Sequence, residues 1–395
     1  MKSNFKILII IFVCLVIIGV FVFKYLIADE AIVPEVEQEI DLSEEIDLSE
    51  KVGQMIMIGF RGTTAKENSY IAKVISEIGI GGIVLFDKDV PTNSFPRNIE
   101  TPEQVKQLTS ELQEHSDVPL FIGTDAEGGK VNRLKKEYGF IEIPSHKAMG
   151  QMGIGDTEKI AQKLAIQLSS IGINMNFAPV VDLDINPDNP IIGGLDRAFS
   201  ADPLEVTEYA KAFIEGLRTQ NIISVVKHFP GHGSSVGDSH KGLVDVTDTY
   251  QQAELFPYHL LLGEGILDAV MTAHIINKKI DSEYPATLSS MFINNMLRIQ
   301  TGFMGVVISD DLQMEAITKE YSFETAVIQT INAGVDVVLI SNNSTQEYDE
   351  GLPYIARDII MKAVDENMIS ETRINDSYRA IMDLKKKFEI IKVAE

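Results

Sequence analysis

Between residues 227 and 240 the chain reads KHFPGHGSSVGDSH, and this stretch holds three of its seven histidines. Three chemistries compete for it. A metal site would use His228 and His232, whose i, i+4 spacing puts two imidazoles on one face of a helix. Pro230 and Gly231 lie between them, however, and that pair breaks helices and makes turns. No HExxH is present and the single cysteine is far away, so neither a metal nor a cofactor is expected. A second possibility is a Gly/Pro-rich turn whose histidines merely satisfy backbone groups. The third is proton transfer. Asp238 and His240, two apart in an extended segment, point to one side, where the carboxylate can orient the imidazole and raise its pKa. Such a histidine can deliver and recover a proton near neutral pH. Gly231, Gly233 and Gly237 read as freedom for the loop to swing. Lys227 and His228 end a strand and read as rigid substrate-binding groups.

A loop of this kind needs a scaffold. From residue 55 onward short apolar runs recur, each followed by a turn and a stretch of helical period. The runs are MIMIGF (55–60), GGIVLF (81–86), PLFIGT (119–124), MNFAPVVDL (175–183), ISVVKHF (223–229), DAVMTAHI (268–275), GVVISDDL (305–312) and DVVLISN (336–342). Amphipathic segments such as 101–116, 157–172 and 203–220 separate them. Continuous apolar strands alternating with helices indicate a parallel sheet covered on its faces. Eight of them predict an α/β fold, a (β/α)8 TIM-like barrel forming a single catalytic domain. An open doubly wound sheet would want a Gly-rich phosphate loop, and no run is followed by GxGxxG or GxxxxGKS. Barrel chemistry gathers at the C-terminal strand ends. Those ends carry Asp125 and Glu127, Asp182 and Asp184, Lys227 and His228, His274, and Asp310 and Asp311, with Arg197 in a loop beyond the fourth run. Their convergence predicts one site.

The chain has 395 residues, 45% of them hydrophobic, and a formal charge of −24. That charge repels nucleic acid and anionic lipid, so no nucleic-acid partner is expected. Ten of the negative charges fall between Asp29 and Glu50, where EIDLSE occurs twice in tandem and Lys and Arg are missing. This segment, 29–48, reads as a solvated acidic linker, with Ser49 expected to cap the first helix of the domain. Ahead of it, Ile7 to Phe23 is an unbroken apolar run of 17 residues preceded by Lys2 and Lys6. That length fits an uncleaved transmembrane helix within an anchor, 1–28, with a cleaved signal peptide as the alternative. The positive flank sends the rest of the chain outward, to a single-pass place at the cell membrane with the domain on the extracytoplasmic face, or to secretion if the segment is cleaved. The barrel is assigned residues 49–395.

KHFPGHGxxxxDSH, together with MLRIQTGFMGVVISDDL at 296–312, resembles glycoside hydrolase family 3, and within it the β-N-acetylglucosaminidase branch. Colinear segments extend the resemblance from residue 49 to about 390. They are KVGQMIMIGF, GTDAEGGKVNR, NFAPVVDLDINPDNPIIG, DRAFS, AHI and PATLS. The resemblance implies Asp310 as catalytic nucleophile and His240, oriented by Asp238, as acid/base. It implies that Asp125, Arg133, Arg197, Lys227 and His228 hold the sugar. It implies a retaining exo-β-N-acetylglucosaminidase acting on GlcNAc-containing oligosaccharides or muropeptides as its small carbohydrate partners. A β-glucosidase, an N-acetylglucosaminide phosphorylase on the same scaffold and a non-catalytic sugar-binding surface protein are the alternatives. A neutral imidazole base would not repel phosphate as a carboxylate would, which keeps phosphorolysis open.

Several neighbours read as structural. Adjacent strand residues face opposite sides, so only one of Asp310 and Asp311 can enter the site, and Asp311 is expected to cap the following helix. Asp182 and Asp184 are expected to satisfy backbone donors in a Pro/Asn-rich turn, and Glu127 to support the turn around Asp125. His274 is expected to pack or hydrogen-bond near the barrel rim. His115, His146 and His259 have no context above background. Gln313 stands where the family commonly has a small residue.

Overall fold

The computed structural model describes residues 46–391. Eight strands build one parallel sheet: β1 (Ile56–Ile58), β2 (Gly82–Val84), β3 (Phe121–Thr124), β4 (Met175–Asn176), β5 (Ile223–Phe229), β6 (Ala269–Thr272), β7 (Val306–Ile308) and β8 (Val338–Ile340). Each pairs in parallel with its neighbours in chain order, β8 pairs with β1, and a parallel bridge from Ile308 to Val337 joins the remaining edge. The result is a nearly closed, TIM-like barrel. The apolar runs of the sequence all become these strands. The run at 175–183 is the exception in length: only its first two residues are strand, and Val180 then bridges Lys227.

Helices cover the barrel: α1 (Leu48–Gln54), α2 (Tyr70–Ile78), α3 (Pro102–Glu114), α4 (His146–Met152), α5 (Ile154–Ser170), α6 (Pro203–Arg218), α7 (Phe256–Gly263), α8 (Glu315–Thr318), α9 (Phe323–Ala333), α10 (Leu352–Asp365) and α11 (Glu371–Lys387). Their starts are written locally. Thr101, Asp202, Ser322 and Ser370 each accept a backbone N–H of the first turn, and Pro102 and Pro203 occupy the first turn, where a missing N–H costs nothing. The first helix corrects an expectation: Asp47, not Ser49, is its N-cap, and its carboxylate accepts from Ser49 N–H at 2.8 Å. Ser49 is thus capped rather than capping. Val105, Leu108 and Leu112 on α3, and Leu164, Ala165 and Leu168 on α5, are fully buried, as a 3.6-residue period demands of helices lying on a sheet.

Inside the barrel close approach is arranged by small residues. A Cβ at Gly123 of β3 would stand 2.9 Å from the Phe177 ring, so glycine there lets the aromatic fill the interior. At the opposite end from the functional loops, the Lys385 ammonium is buried beneath Phe121, 4.8 Å from the ring centroid, and donates to Gln54 Oε1 at 2.7 Å. Among the described residues no helix is long and apolar enough to cross a membrane. The expected anchor at 1–28 and most of the linker at 29–48 lie outside the described residues.

Candidate active site

The C-terminal strand ends bring Asp125, Arg197, Lys227 and His228 into one buried network. Asp125 follows β3 directly, and its carboxylate accepts from Lys227 Nζ at 2.9 Å and from Arg133 at 3.3 Å. The chain then turns back as a small hairpin, Ala126–Gly128 against Val131–Asn132, with Glu127 on its buried side. Glu127 accepts a bidentate pair from Arg197, 2.8 Å from Nε and 2.7 Å from Nη2, and it lies 2.6 Å from Lys227 Nζ. Lys227 therefore bridges two carboxylates. Burial opposes ionisation of both, but Lys227 and Arg133 hold Asp125 well below the usual carboxylate range, and Arg197 and Lys227 hold Glu127 down to about 2. Sequence reasoning gave Glu127 a turn-supporting role. It is also the counter-ion of Arg197 and Lys227, a cross-strand pairing that spacing along the chain does not reveal.

His228 is fixed in one protonation state by its neighbours. Its Nδ1 lies 2.6 Å from Asp182 Oδ2, and its Nε2 lies 3.1 Å from Arg197 Nη2. A guanidinium only donates, so Nε2 must carry the lone pair and Nδ1 the proton. Burial, with the charges of Arg197 and Lys227, pushes this imidazole well below its ordinary pKa, so it is neutral. Asp182 does satisfy backbone donors as expected, accepting from His228 N–H at 3.3 Å and His232 N–H at 2.7 Å. Its hydrogen bond from the neutral His228 Nδ1–H was not anticipated. Asp184 accepts from Lys147 at 3.0 Å.

The glycine-rich loop divides in two. In its first part His232, Ser234 and Ser235 are buried. His232 Nδ1 lies 2.6 Å from Ser235 Oγ, whose hydroxyl donates to the His232 carbonyl, so this imidazole too is engaged. The expected looseness of the glycines is corrected here. A Cβ at Gly233 would meet the Leu183 carbonyl oxygen at 2.1 Å, and one at Gly231 would meet the Glu254 Cβ at 2.5 Å. They are close-packing glycines. Beyond them Val236 is 63% exposed, while Ser239 is buried with its Oγ 3.4 Å from His232 Nε2. Here the predicted pair is present: His240 Nδ1 lies 2.9 Å from Asp238 Oδ1. The pairing arises in a turn, where Asp238 also accepts from His240 N–H at 3.0 Å, rather than in an extended segment. The His240 side chain is 63% exposed. Lys319 Nζ donates to the Lys241 carbonyl at 3.1 Å and ties the arm to the end of α8.

Asp310 follows β7 at the barrel mouth. Burial raises its carboxyl, but His274, His228, the Asp311 N–H and His240 outweigh that and hold it below the usual range. It is therefore an anion at neutral pH. Asp311 faces away. It accepts from Ser341 N–H at 2.9 Å and Gln313 N–H at 3.2 Å, so it ties the end of β7 to β8. The expected helix cap is corrected: α8 begins after Met314 with no side-chain cap. His274 behaves as read, with Nδ1 2.8 Å from Thr287 Oγ1 and Nε2 2.9 Å from the Asp311 carbonyl. His146, judged unremarkable from sequence, is buried against Phe199 with ring centroids 4.3 Å apart. Burial there pushes its imidazole down to about 4. Gln313 is buried and accepts the Asn342 N–H. Among the described residues no three His, Cys, Asp or Glu side chains are grouped to hold a metal ion.

Residues 47–384 match the model of the glycosyl hydrolase family 3 N terminal domain. The chain is 31% identical over 380 residues to beta-hexosaminidase A of Pseudoalteromonas piscicida, covering 85% of this chain and 60% of that protein. It is 37% identical over 262 residues to the beta-hexosaminidase of Hydrogenovibrio crunogenus, covering 63% of this chain and 71% of that one. Among solved structures, a glycoside hydrolase family 3 beta-N-acetylglucosaminidase from Paenibacillus sp. superposes with a TM-score of 0.79 at 35% identity, over 89% of this chain and 64% of that one. The beta-N-acetylhexosaminidase of Beutenbergia cavernae gives 0.74 at 27% identity, over 86% and 99%. The chain thus spans about three fifths of the length of the Pseudoalteromonas relative. With its barrel, its strand-end network and 338 matched residues (47–384), the chain belongs to glycosyl hydrolase family 3, in the β-N-acetylglucosaminidase branch.

Proposed function

We propose that this protein is a retaining exo-β-N-acetylglucosaminidase that removes terminal β-linked GlcNAc from peptidoglycan fragments or chitooligosaccharides. One observation carries the reading. Of the three histidines in the loop, His228 and His232 are buried in fixed hydrogen bonds, and only His240 is exposed and oriented by Asp238, while Asp310 at the barrel mouth is held ionised. In this reading the Asp310 carboxylate attacks the anomeric carbon while the bond to the leaving oxygen breaks, and the His240 imidazolium gives that oxygen its proton. Neutral His240 then takes a proton from water, whose oxygen displaces Asp310. Two inversions give net retention. Asp125 would accept from sugar hydroxyls, while Arg133, Arg197 and Lys227 donate to them in fixed geometry. His228, neutral with its Nδ1–H committed, serves as a rigid wall and hydrogen-bonding group, not as an acid.

The test is release of 4-nitrophenol by the full-length chain from the β-N-acetylglucosaminide and from the β-glucoside, each with and without phosphate. Release from the acetamido sugar alone, abolished in Asp310→Asn, is expected. A product that forms only with phosphate would make the enzyme a phosphorylase, and equal release from the glucoside would overturn the substrate assignment. The apolar run at 7–23 and the acidic segment after it support a further placement: residues 1–28 hold the chain in the cell membrane, 29–48 space it, and 49–395 work outside. Retention of the chain in membranes through an alkaline wash is expected, and its release would overturn the anchor.

A further inference from the structure

The loop that carries His240 is fastened by a group the reaction does not use. Glu254 lies in the short 3-10 turn Gln252–Leu255 leading into α7, and its side chain is fully buried. Its Oε2 accepts the backbone N–H of Gly233 at 2.7 Å and of Ser234 at 3.2 Å. Both donors belong to the root of the acid/base loop. Gly231 gives the carboxylate room: its φ is +124°, and any Cβ there would stand 2.5 Å from the Glu254 Cβ. The other side of the same segment is gripped as well. Asp182 accepts the His232 N–H at 2.7 Å, and Asn189 Nδ2 donates to the carbonyls of His232 at 2.8 Å and Gly233 at 3.1 Å.

Burying a carboxyl is costly unless its hydrogen bonds compensate. Burial pushes the Glu254 carboxyl up to about 7, against the hydrogen bonds from Ser234 and Gln251 and with the Asp182 charge adding to the rise. An apolar side chain of the same size would fill the space without that penalty. What the carboxyl contributes is its pair of bonds to Gly233 and Ser234, which fix the direction in which the chain runs on towards Asp238 and His240. We propose that Glu254 is the positioning residue of the acid/base loop, setting through Gly233 and Ser234 where Asp238 and His240 stand relative to Asp310. This rests on the function proposed above.

A positioning role predicts a loss that depends on the leaving group. With the full-length chain, kcat/KM is compared for chitobiose, whose leaving sugar needs a proton, and for 2,4-dinitrophenyl β-N-acetylglucosaminide, whose leaving group departs as a stable anion. Glu254→Leu should lower the first by about 100-fold, the scale of general acid catalysis, and leave the second little changed. Amide hydrogen exchange should quicken across 233–241 and not in β5. Glu254→Gln, which keeps an acceptor oxygen, should restore both amide protection and most of the turnover. Equal losses on the two substrates, unchanged exchange in the loop, or Glu254→Gln failing as badly as Glu254→Leu would each overturn the proposal. Should Glu254→Leu not fold, Glu254→Asp, shorter by one methylene, makes the same comparison. If the unmodified chain cleaves neither glycoside, the functional reading fails, and the exchange comparison still decides whether Glu254 anchors the loop.

Discussion

The floor of the site and the arm above it are built on opposite principles. In the floor, Asp125, Glu127, Asp182, Arg197, Lys227 and His228 form a closed network in which each charge faces a partner and protonation states are fixed by geometry. In the arm, His240 is exposed, and its one side-chain partner among the described residues is Asp238, itself largely buried. The difference suits the tasks proposed for them. A binding surface for sugar hydroxyls gains from rigid, pre-oriented donors and acceptors. A group that must lose and regain a proton in each cycle cannot be locked into one state. The floor should therefore govern stability and binding together, and the arm catalysis alone.

The largest break in that comparison is Glu127→Ala. It strips Lys227 and Arg197 of their shared counter-ion while both stay buried. Removing one partner of a buried ion pair costs about 3–5 kcal/mol, so urea unfolding should shift by that order, and substrate affinity should fall with it. His240→Ala should do the reverse. Its turnover should drop about 10²- to 10⁴-fold, the range for a lost general acid/base, while its unfolding curve overlays that of the unmodified chain. A stability loss in His240→Ala, or unaltered stability in Glu127→Ala, would erase the distinction between floor and arm.

Acid sharpens the same contrast. Glu127 drops from an ordinary 4.5 to about 2 in the folded chain. A depressed carboxyl adds stability that is fully present above the unfolded value and is lost as pH falls through the folded one. The gap in stability between the unmodified chain and Glu127→Gln should therefore be full above about pH 5 and close towards pH 2, an effect on the order of 3 kcal/mol. Urea titrations at stepped pH read it directly. A gap that does not change with pH would mean that Glu127 is not held ionised by its cations.

Much of this was legible beforehand. The barrel could be read because parallel strands buried on both faces are continuous apolar runs, and a run is visible without knowing its partner. The site could be placed because such strands present their polar residues at one end. Pairing was not legible where it crosses between strands. Glu127 and Arg197 are 70 residues apart and His228 and Asp182 are 46 apart, so nothing local links them. Nor does sequence distinguish a glycine needed for motion from one needed for contact. Gly231 and Gly233 looked like hinges and are points of close packing, because the atoms that crowd them come from Glu254 and Leu183.

That last distinction gives the smallest and most local test of the division. In the loop root, Gly233→Ala would place a methyl 2.1 Å from the Leu183 carbonyl oxygen, so the backbone must shift. Overpacking of this kind costs about 1–3 kcal/mol, and the shift would also disturb the Gly233 N–H bond to Glu254. In the arm, Val236→Ser changes a side chain that is 63% exposed. Substitutions of that sort stay within about 0.5 kcal/mol. Three positions apart on one loop, the two variants should differ severalfold in stability cost, measured side by side in urea. Equal costs would mean that the boundary between packed root and free arm does not lie between Gly233 and Val236, and that the loop moves or holds as one piece.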